Sequence, residues 1–424
     1  MTSSVEWTVA RRIGFRFAVI VGALLAFPFP ISAVPKIEWL ETALLRPVVW
    51  ATQWFATGVL GLPEPTSESN GSGDRVFNYV ELLLIALVAV LGTLAWSVLD
   101  RRRRSYPQLA SGARVVLRYY VAWAMLWYGM SKILKMQFYD LSPGVLHLRL
   151  GEAPPMRLLW AFMGYSLPYT MFAGIMEFVG GVLLLWRRTT TLGALLVIVV
   201  MTNVVLLNLC YDVPVKLYST QLLVMAAVIA LPDARRLIGA VLGRAATEVP
   251  PRPRTSPRRE RARVAAKLVL VALMALGLYL RFAPRPRHDD HGHELYGNWV
   301  VDGFVIDGVE HPPLTTDPVR WESWSASSVY ARIWLMNGDA DGQAEPDKGW
   351  DKLKVDAAAR TITVVVDDAT QRKEVWSYAR PAPDRLVIDC VHRGKSLHVA
   401  LHREPEGGLL TRGFHWINEV PYNL

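Results

Sequence analysis

Seven apolar stretches divide this chain, and the arginines between them gather on alternate sides. The stretches run over about Ile13–Val34, Val76–Leu99, Val115–Met136, Tyr169–Trp186, Leu192–Leu209, Val215–Leu231 and Val264–Phe282. Most hold the roughly 17–25 apolar residues that a hydrocarbon layer of ~30 Å demands of a spanning helix. The fold expected from this pattern is an α-helical polytopic membrane bundle of about seven spans.

Arg11 and Arg12 precede the first stretch, Arg101 to Arg104 follow the second, Arg187 and Arg188 follow the fourth, and Arg235 and Arg236 follow the sixth. A further basic run, from Arg252 to Arg263, precedes the seventh. The alternate loops carry few basic residues, so the positive-inside rule predicts a cytoplasmic N-terminus and an exterior segment after Phe282. The expected location is the inner membrane of a cell, with the C-terminal part on the extracytoplasmic side. The formal net charge of +9 hides this division: from Arg285 onward there are 16 Lys+Arg against 22 Asp+Glu, leaving 30 against 15 for the remainder. The basic residues are thus topology determinants facing anionic headgroups, and nucleic acid is excluded as a partner. The only two cysteines, Cys210 and Cys390, are read as free thiols on the oxidising side, with a disulfide as the alternative.

Between the first two stretches, Trp39–Val59 reads as an amphipathic helix lying at the membrane interface. The run Ser69 to Asp74 that follows reads as a linker ending in the cap of the next helix. Pro143, Gly144, Pro154 and Pro155 break up the second exterior loop, and the apolar run Leu158–Leu167 is too short to cross. Asp233–Arg263 is Arg/Pro-rich and reads as a disordered cytoplasmic tether. The domain organisation expected is residues 1–112 as two spans with a long exterior loop, 113–238 as a four-helix core, 239–263 as the tether, 264–283 as the last span and 294–424 as an exterior β domain. That β domain is legible as eight period-two strands, at about Gly297–Ile306, Arg320–Trp324, Val329–Met336, Lys352–Val355, Thr361–Val366, Lys373–Tyr378, Arg385–Cys390 and Ser396–His402. Tight connections between them predict a meander closing as a small barrel, with a sandwich as the alternative.

Ionisable residues inside a span are expensive and mark function by default. Tyr128, Lys132 and Lys135 fall at i, i+4 and i+7 on the third stretch, hence on one face. Glu177 on the fourth stretch and Asn203 and Asn208 on the fifth lie at similar depth, and Asp212 and Lys216 flank Pro214 in the turn to the sixth. Together they suggest one polar pocket in the outer half of the bilayer, with Lys132 and Glu177 as proton donor and acceptor and Tyr128, Asn203, Asn208, Asp212 and Lys216 as binding groups. A buried structural Lys132–Glu177 pair is the plainer alternative. Arg118, near the inner end of the third stretch, is expected to snorkel to headgroups. Gly180-Gly181 suits close helix packing. Tyr119, Tyr120, Trp123 and Trp127 suit either a ring-shaped ligand or an aromatic belt. His288, Asp289, Asp290, His291 and His293 form a metal-like cluster whose geometry nothing fixes, and no metal site is assigned.

The run Arg118-Tyr119-Tyr120 to Tyr128-Gly129-Met130-Ser131-Lys132, together with Glu177-Phe178-Val179-Gly180-Gly181 and Asn208 to Lys216, resembles the DoxX-like membrane proteins over about residues 115–238. That resemblance implies a four-helix core and a quinone- or thiol-linked redox role at the outer leaflet, with a non-covalently bound quinone as the cofactor and other membrane redox subunits as partners. Gly297-Asn298-Trp299 is similar to the GxW signature of lipocalin-like barrels, which implies that Trp299, with an Arg such as Arg412 over it, closes the barrel base. In architecture alone, the chain resembles the vitamin K-dependent carboxylases, which also join a quinol-using bundle to an exterior β domain. Three functions follow as expectations: a quinone-linked oxidoreductase or a subunit of one, a non-enzymatic membrane anchor presenting a β-barrel for assembly or lipid capture, and, more distantly, a carboxylase-like enzyme.

Overall fold

A computed structural model of the chain describes residues 6–68, 71–243, 256–282, 293–338, 351–367 and 372–416. Met1–Tyr139 with Pro154–Arg285 forms one compact unit, and Asp140–Ala153 with Pro286–Leu424 a second.

The first unit is helical. Its elements are α1 (Val9–Ala26), α2 (Glu38–Trp54), α3 (Val76–Leu99) and α4 (Pro107–Ile133). After a short helix α5 (Pro143–His147) that belongs to the second unit, the chain continues as α6 (Pro155–Tyr165), α7 (Leu167–Leu184), α8 (Thr190–Cys210), α9 (Lys216–Ala230), α10 (Ala234–Val241) and α11 (Pro257–Phe282). Among the described residues, five helical segments are long and apolar enough to cross a membrane: Val9–Ala33, Val76–Leu99, Leu167–Leu184, Thr190–Cys210 and Glu260–Phe282. This is the pattern of a multi-pass membrane protein.

The third and sixth expected spans are also helices, α4 and α9, but they fall short of that standard. Arg118, Lys132 and several aromatic rings dilute the apolar character of α4, and α9 has 15 residues, about 22 Å at 1.5 Å per residue. Both line the interior of the unit. Val121, Ala122, Met125 and Leu126 of α4 and Leu222, Ala226 and Ile229 of α9 are buried in one core with Leu184, Ala194, Val197 and Met274.

Glycines set the closeness of this packing. A Cβ on Gly129 would stand 2.7 Å from the Gly174 carbonyl, and one on Gly174 would stand 2.7 Å from the Gly129 carbonyl, so α4 and α7 cross backbone to backbone. Gly180 and Gly181 extend the same logic, the first against Val197 of α8 and the second against the Ala122 carbonyl of α4.

Pro168 occupies the first turn of α7, where its missing N–H breaks no helical bond, so it opens that helix. Two local readings need correction. The expected tether Asp233–Arg263 is helical over α10 and from Pro257 onward, and its middle lies outside the described residues. Arg118 does not snorkel. It is 8% exposed, donates from Nη1 to Thr190 Oγ1 at 3.1 Å, and lies 4.9 Å over the Tyr119 ring.

The second unit is a closed antiparallel barrel of eight strands: β1 (Gly297–Ile306), then, past the two-residue β2 (Val309–Glu310), β3 (Trp321–Ala326), β4 (Tyr330–Leu335), β5 (Asp351–Asp356), β6 (Thr361–Asp367), β7 (Arg372–Ala382), β8 (Arg385–His392) and β9 (Lys395–Arg403). Each strand pairs with the next, and β1 pairs with both β3 and β9 to close the ring. A four-residue helix, α12 (Gly408–Thr411), follows. Eight strands leave an interior just wide enough for side chains. Here Trp299, Phe304, Trp321, Trp324, Trp376, Leu386, Ile388 and Val399 fill it, each at most 1% exposed. The β8–β9 hairpin turns on Arg393 and Gly394, both at positive φ, the conformation that matches the twist of a two-residue turn. The guanidinium groups over Trp299 are those of Arg380 and Arg403, each 5.9 Å from the ring. The Arg expected there, Arg412, comes just after α12.

Candidate functional site

The Gly129–Gly174 crossing decides what happens one turn away. Lys132 follows Gly129 by three residues, and its Cβ would lie 2.8 Å from a Cβ built on Gly174. Its aliphatic stem therefore runs over the groove that Gly174 leaves in α7, toward the residue one turn further on. That residue is Glu177. Lys132 Nζ donates to Glu177 Oε2 at 2.8 Å, with side-chain exposures of 9% and 3%. A short charge-assisted bond with so little water access is far stronger than a surface ion pair, and neither partner tolerates the loss of the other.

Tyrosines surround the pair. The Tyr128 ring, one turn below Lys132 on α4, lies 5.7 Å from Lys132 Nζ, close enough for a cation–π contribution. Tyr218 of α9 packs 6.1 Å from the Tyr128 ring. Tyr218 escaped the sequence reading; its one signal is a hydroxyl-bearing ring inside a short apolar helix.

The other residues expected at the site do not join this cluster as a set. Asn208 is buried and donates from Nδ2 to Ser219 Oγ at 3.0 Å, which ties α8 to α9. Asn203 stands on an exposed face of α8, because five residues before Asn208 is about 140° around the helix. Lys216 pairs with Asp212 at 2.7 Å, and the Asp212 side chain is 82% exposed at the turn. Lys135 lies beyond the last residue of α4 at φ 54°, so it shares no helical face with Tyr128 and Lys132. Asp74, read as the cap of the helix that follows it, caps α9 instead. Its carboxylate accepts from the Lys216 N–H at 2.8 Å and the Leu217 N–H at 3.0 Å, and it approaches Lys216 Nζ at 3.7 Å. A negative charge at a helix start satisfies N–H groups that have no intrahelical partner.

The barrel unit holds a second polar constellation. Asp140–Ala153, expected as a plain exterior loop, packs α5 against β1 and β3. His147 of α5 stands 2.8 Å by Nε2 from Ser323 Oγ and 3.1 Å by Nδ1 from Glu404 Oε2, with its ring 5.6 Å from Trp334. The order serine, histidine, carboxylate matches a hydrolytic triad, but Ser323 is 0% exposed and sits mid-strand in the β3–β4 ladder. A nucleophile needs an approach for its substrate, so the three residues act as a fastening that holds α5 to the barrel wall.

Inside the barrel, His392 is 5% exposed and 2.7 Å from Glu374 Oε2. Burial raises the Glu374 pKa, but hydrogen bonds from His392, the Arg393 amide and Trp376 outweigh it and hold the carboxyl below its usual range. Cys390 is buried nearby on β8. Burial, with the Glu374 and Asp389 charges, pushes its thiol up to about 12. Both cysteines are free, as expected, with Cys210 exposed. At pH 8 a thiol at about 12 is thiolate in only about 1 molecule in 10⁴. Alkylation of the folded protein should therefore modify the exposed Cys210 and leave the buried Cys390 slower by about 10²-fold or more, and denaturant should abolish the difference; peptide mapping after timed labelling reads both sites.

Of the metal-like cluster, only His293 falls within the described residues, where its Nε2 lies 2.8 Å from the Ser327 carbonyl.

No family model and no solved structure matches this chain. Among curated proteins, an uncharacterized Bacillus subtilis (strain 168) protein, YwoB, is 34% identical over 122 residues, which cover 29% of this chain and 77% of that protein. At that identity and coverage of YwoB, this chain belongs to the same family as that uncharacterized protein.

Proposed function

We propose that this protein is a DoxX-like, redox-linked membrane component whose helical unit takes a quinone or a similar ring beside Lys132 and Glu177. The observation that carries the reading is the 2.8 Å ion pair, nearly dry and flanked by tyrosines. Burial of a charged pair between apolar helices is expensive, and such pairs mark proton-coupled sites more often than scaffolding. Lys132 would donate to a quinone carbonyl, Glu177 would exchange the proton taken up on reduction, and Tyr128 and Tyr218 would stack on or hydrogen-bond the ring. The electrons would come from another membrane redox subunit. In this reading the N-terminus is cytoplasmic, the pair lies in the outer half of the bilayer and the barrel is extracytoplasmic, an orientation that the arginine distribution supports.

The test is extraction and mass spectrometry of lipids from gently purified protein. A quinone should co-purify with the native chain, and the doubly substituted Lys132→Met/Glu177→Leu protein, still inserted and folded, should lose it. Absence of any quinone from both preparations would leave the anchor reading, in which the bundle only holds the barrel at the membrane. One observation favours that second reading: the barrel is a solid body with a filled interior, suited to presenting its outer wall to a partner.

A further inference from the structure

The connection between α3 and α4 packs against the residues preceding α1. Between them lies a cavity of about 500 Å³ lined by Glu6, Trp7, Arg12, Arg101, Arg102 and Arg104. Four guanidinium groups face it against one carboxylate, and that carboxylate is taken up by Arg104 at 2.5 Å. Arg101 and Arg102 have no hydrogen-bond or ion-pair partner among the described residues. Uncompensated like charges in one concave site repel each other unless an anion enters.

Hydrogen bonds tie the frame around the cavity together. The Trp7 N–H donates to the Arg104 carbonyl at 3.1 Å, and Arg12 Nη1 donates to the Arg103 carbonyl at 3.1 Å. Beneath them Arg16, 4% exposed inside the first apolar segment, donates to Tyr106 Oη at 2.7 Å, Ser97 Oγ at 2.8 Å and the Asp100 carbonyl at 3.0 Å. Tyr106 Oη in turn donates to Asp100 Oδ2 at 2.9 Å, and the Arg103 guanidinium lies 5.0 Å over the Tyr106 ring. Arg16 thus spends its charge inside the protein holding the loop, while Arg101 and Arg102 are left facing outward.

We propose that this cavity binds the phosphate of an anionic phospholipid headgroup. Two apolar segments, Val9–Ala33 and Val76–Leu99, end at the cavity, which sets it at headgroup level in a bilayer. Val9, Val98 and Leu99, chain neighbours of its lining, are 62%, 71% and 85% exposed and offer seats for acyl chains that a free phosphate would not use. Trp7 supplies the amphipathic ring typical of that depth. Arginine forks match phosphate oxygens in pairs, which suits a phosphodiester better than a lone carboxylate.

The experiment is a titration of the full-length protein in phosphatidylcholine nanodiscs with increasing phosphatidylglycerol, read by native mass spectrometry. A parallel arm adds inorganic phosphate to phosphatidylcholine discs. Saturable phosphatidylglycerol binding is expected, weakened by about 30-fold in Arg101→Gln/Arg102→Gln, which removes two lipid-facing charges. The same binding should survive in Arg187→Gln/Arg188→Gln, which removes an equal charge at the α7–α8 turn. Equal weakening in both variants would mean diffuse surface attraction and would overturn the proposal. So would inorganic phosphate binding in the phosphatidylcholine discs as tightly as the lipid does, which would make the site one for a soluble anion. The Arg101 and Arg102 side chains make no hydrogen bond or ion pair among the described residues, so unchanged thermal unfolding of the first variant separates lost binding from lost folding.

Discussion

Replacing Glu177 with Gln is expected to destabilise the helical unit by about 3–5 kcal/mol. The substitution keeps the shape of the side chain but leaves the buried Lys132 ammonium without its counter-charge between α4 and α7. A buried cation in that position must find water, shed its proton or push the helices apart, and each costs several kcal/mol. Substituting both residues, as in Lys132→Met/Glu177→Leu, should recover most of the loss, because two apolar chains of similar volume need neither water nor a partner. Thermal unfolding in detergent, followed by circular dichroism, measures both proteins. A loss below about 1 kcal/mol for Glu177→Gln would mean that solvent reaches the pair, because only exposed pairs are worth so little. The double variant also separates scaffold from function: folded and stable, it should still fail to retain a quinone if the pair exists for chemistry.

The pair itself was legible because its two residues are chemically conspicuous in apolar sequence. The barrel was legible for a different reason. Strand alternation is local, and all eight predicted strands are present, with β1 ending where its alternation ends at Ile306. What escaped notice depends on contacts far apart in sequence. Asp74 reaches the start of α9 across 142 residues, and Ser323 meets His147 across 176. Neither pairing leaves a periodic trace. Arg118 was judged by its nearness to a span end, where arginines usually extend to headgroups. It is kept inside by a hydroxyl partner from another segment, Thr190, as Arg16 is by Tyr106. Asn203 was placed by depth alone, and depth says nothing about which way a helix face points.

Substituting Gly174 with Ala should rank close behind the loss of Glu177, at about 2–3 kcal/mol. The added methyl would meet the Gly129 carbonyl at 2.7 Å and the Lys132 stem at 2.8 Å. Alanine is the better helix former by nearly 1 kcal/mol, so an isolated α7 would gain from the change. Packing wins here because the nearest obstacle is backbone, which cannot rotate away as a side-chain end can. Relief comes only if α4 and α7 move apart, and that movement stretches the 2.8 Å bond between Lys132 and Glu177. The two effects are therefore coupled: in the Lys132→Met/Glu177→Leu background the same alanine should cost measurably less, since no charged bond is left to break. Gly112, whose added Cβ would meet nothing within 4 Å, is the control; Gly112→Ala on α4 should be neutral or slightly stabilising. Equal melting temperatures for Gly174→Ala and Gly112→Ala would refute a backbone-to-backbone crossing of α4 and α7, and with it the geometry that brings Lys132 to Glu177.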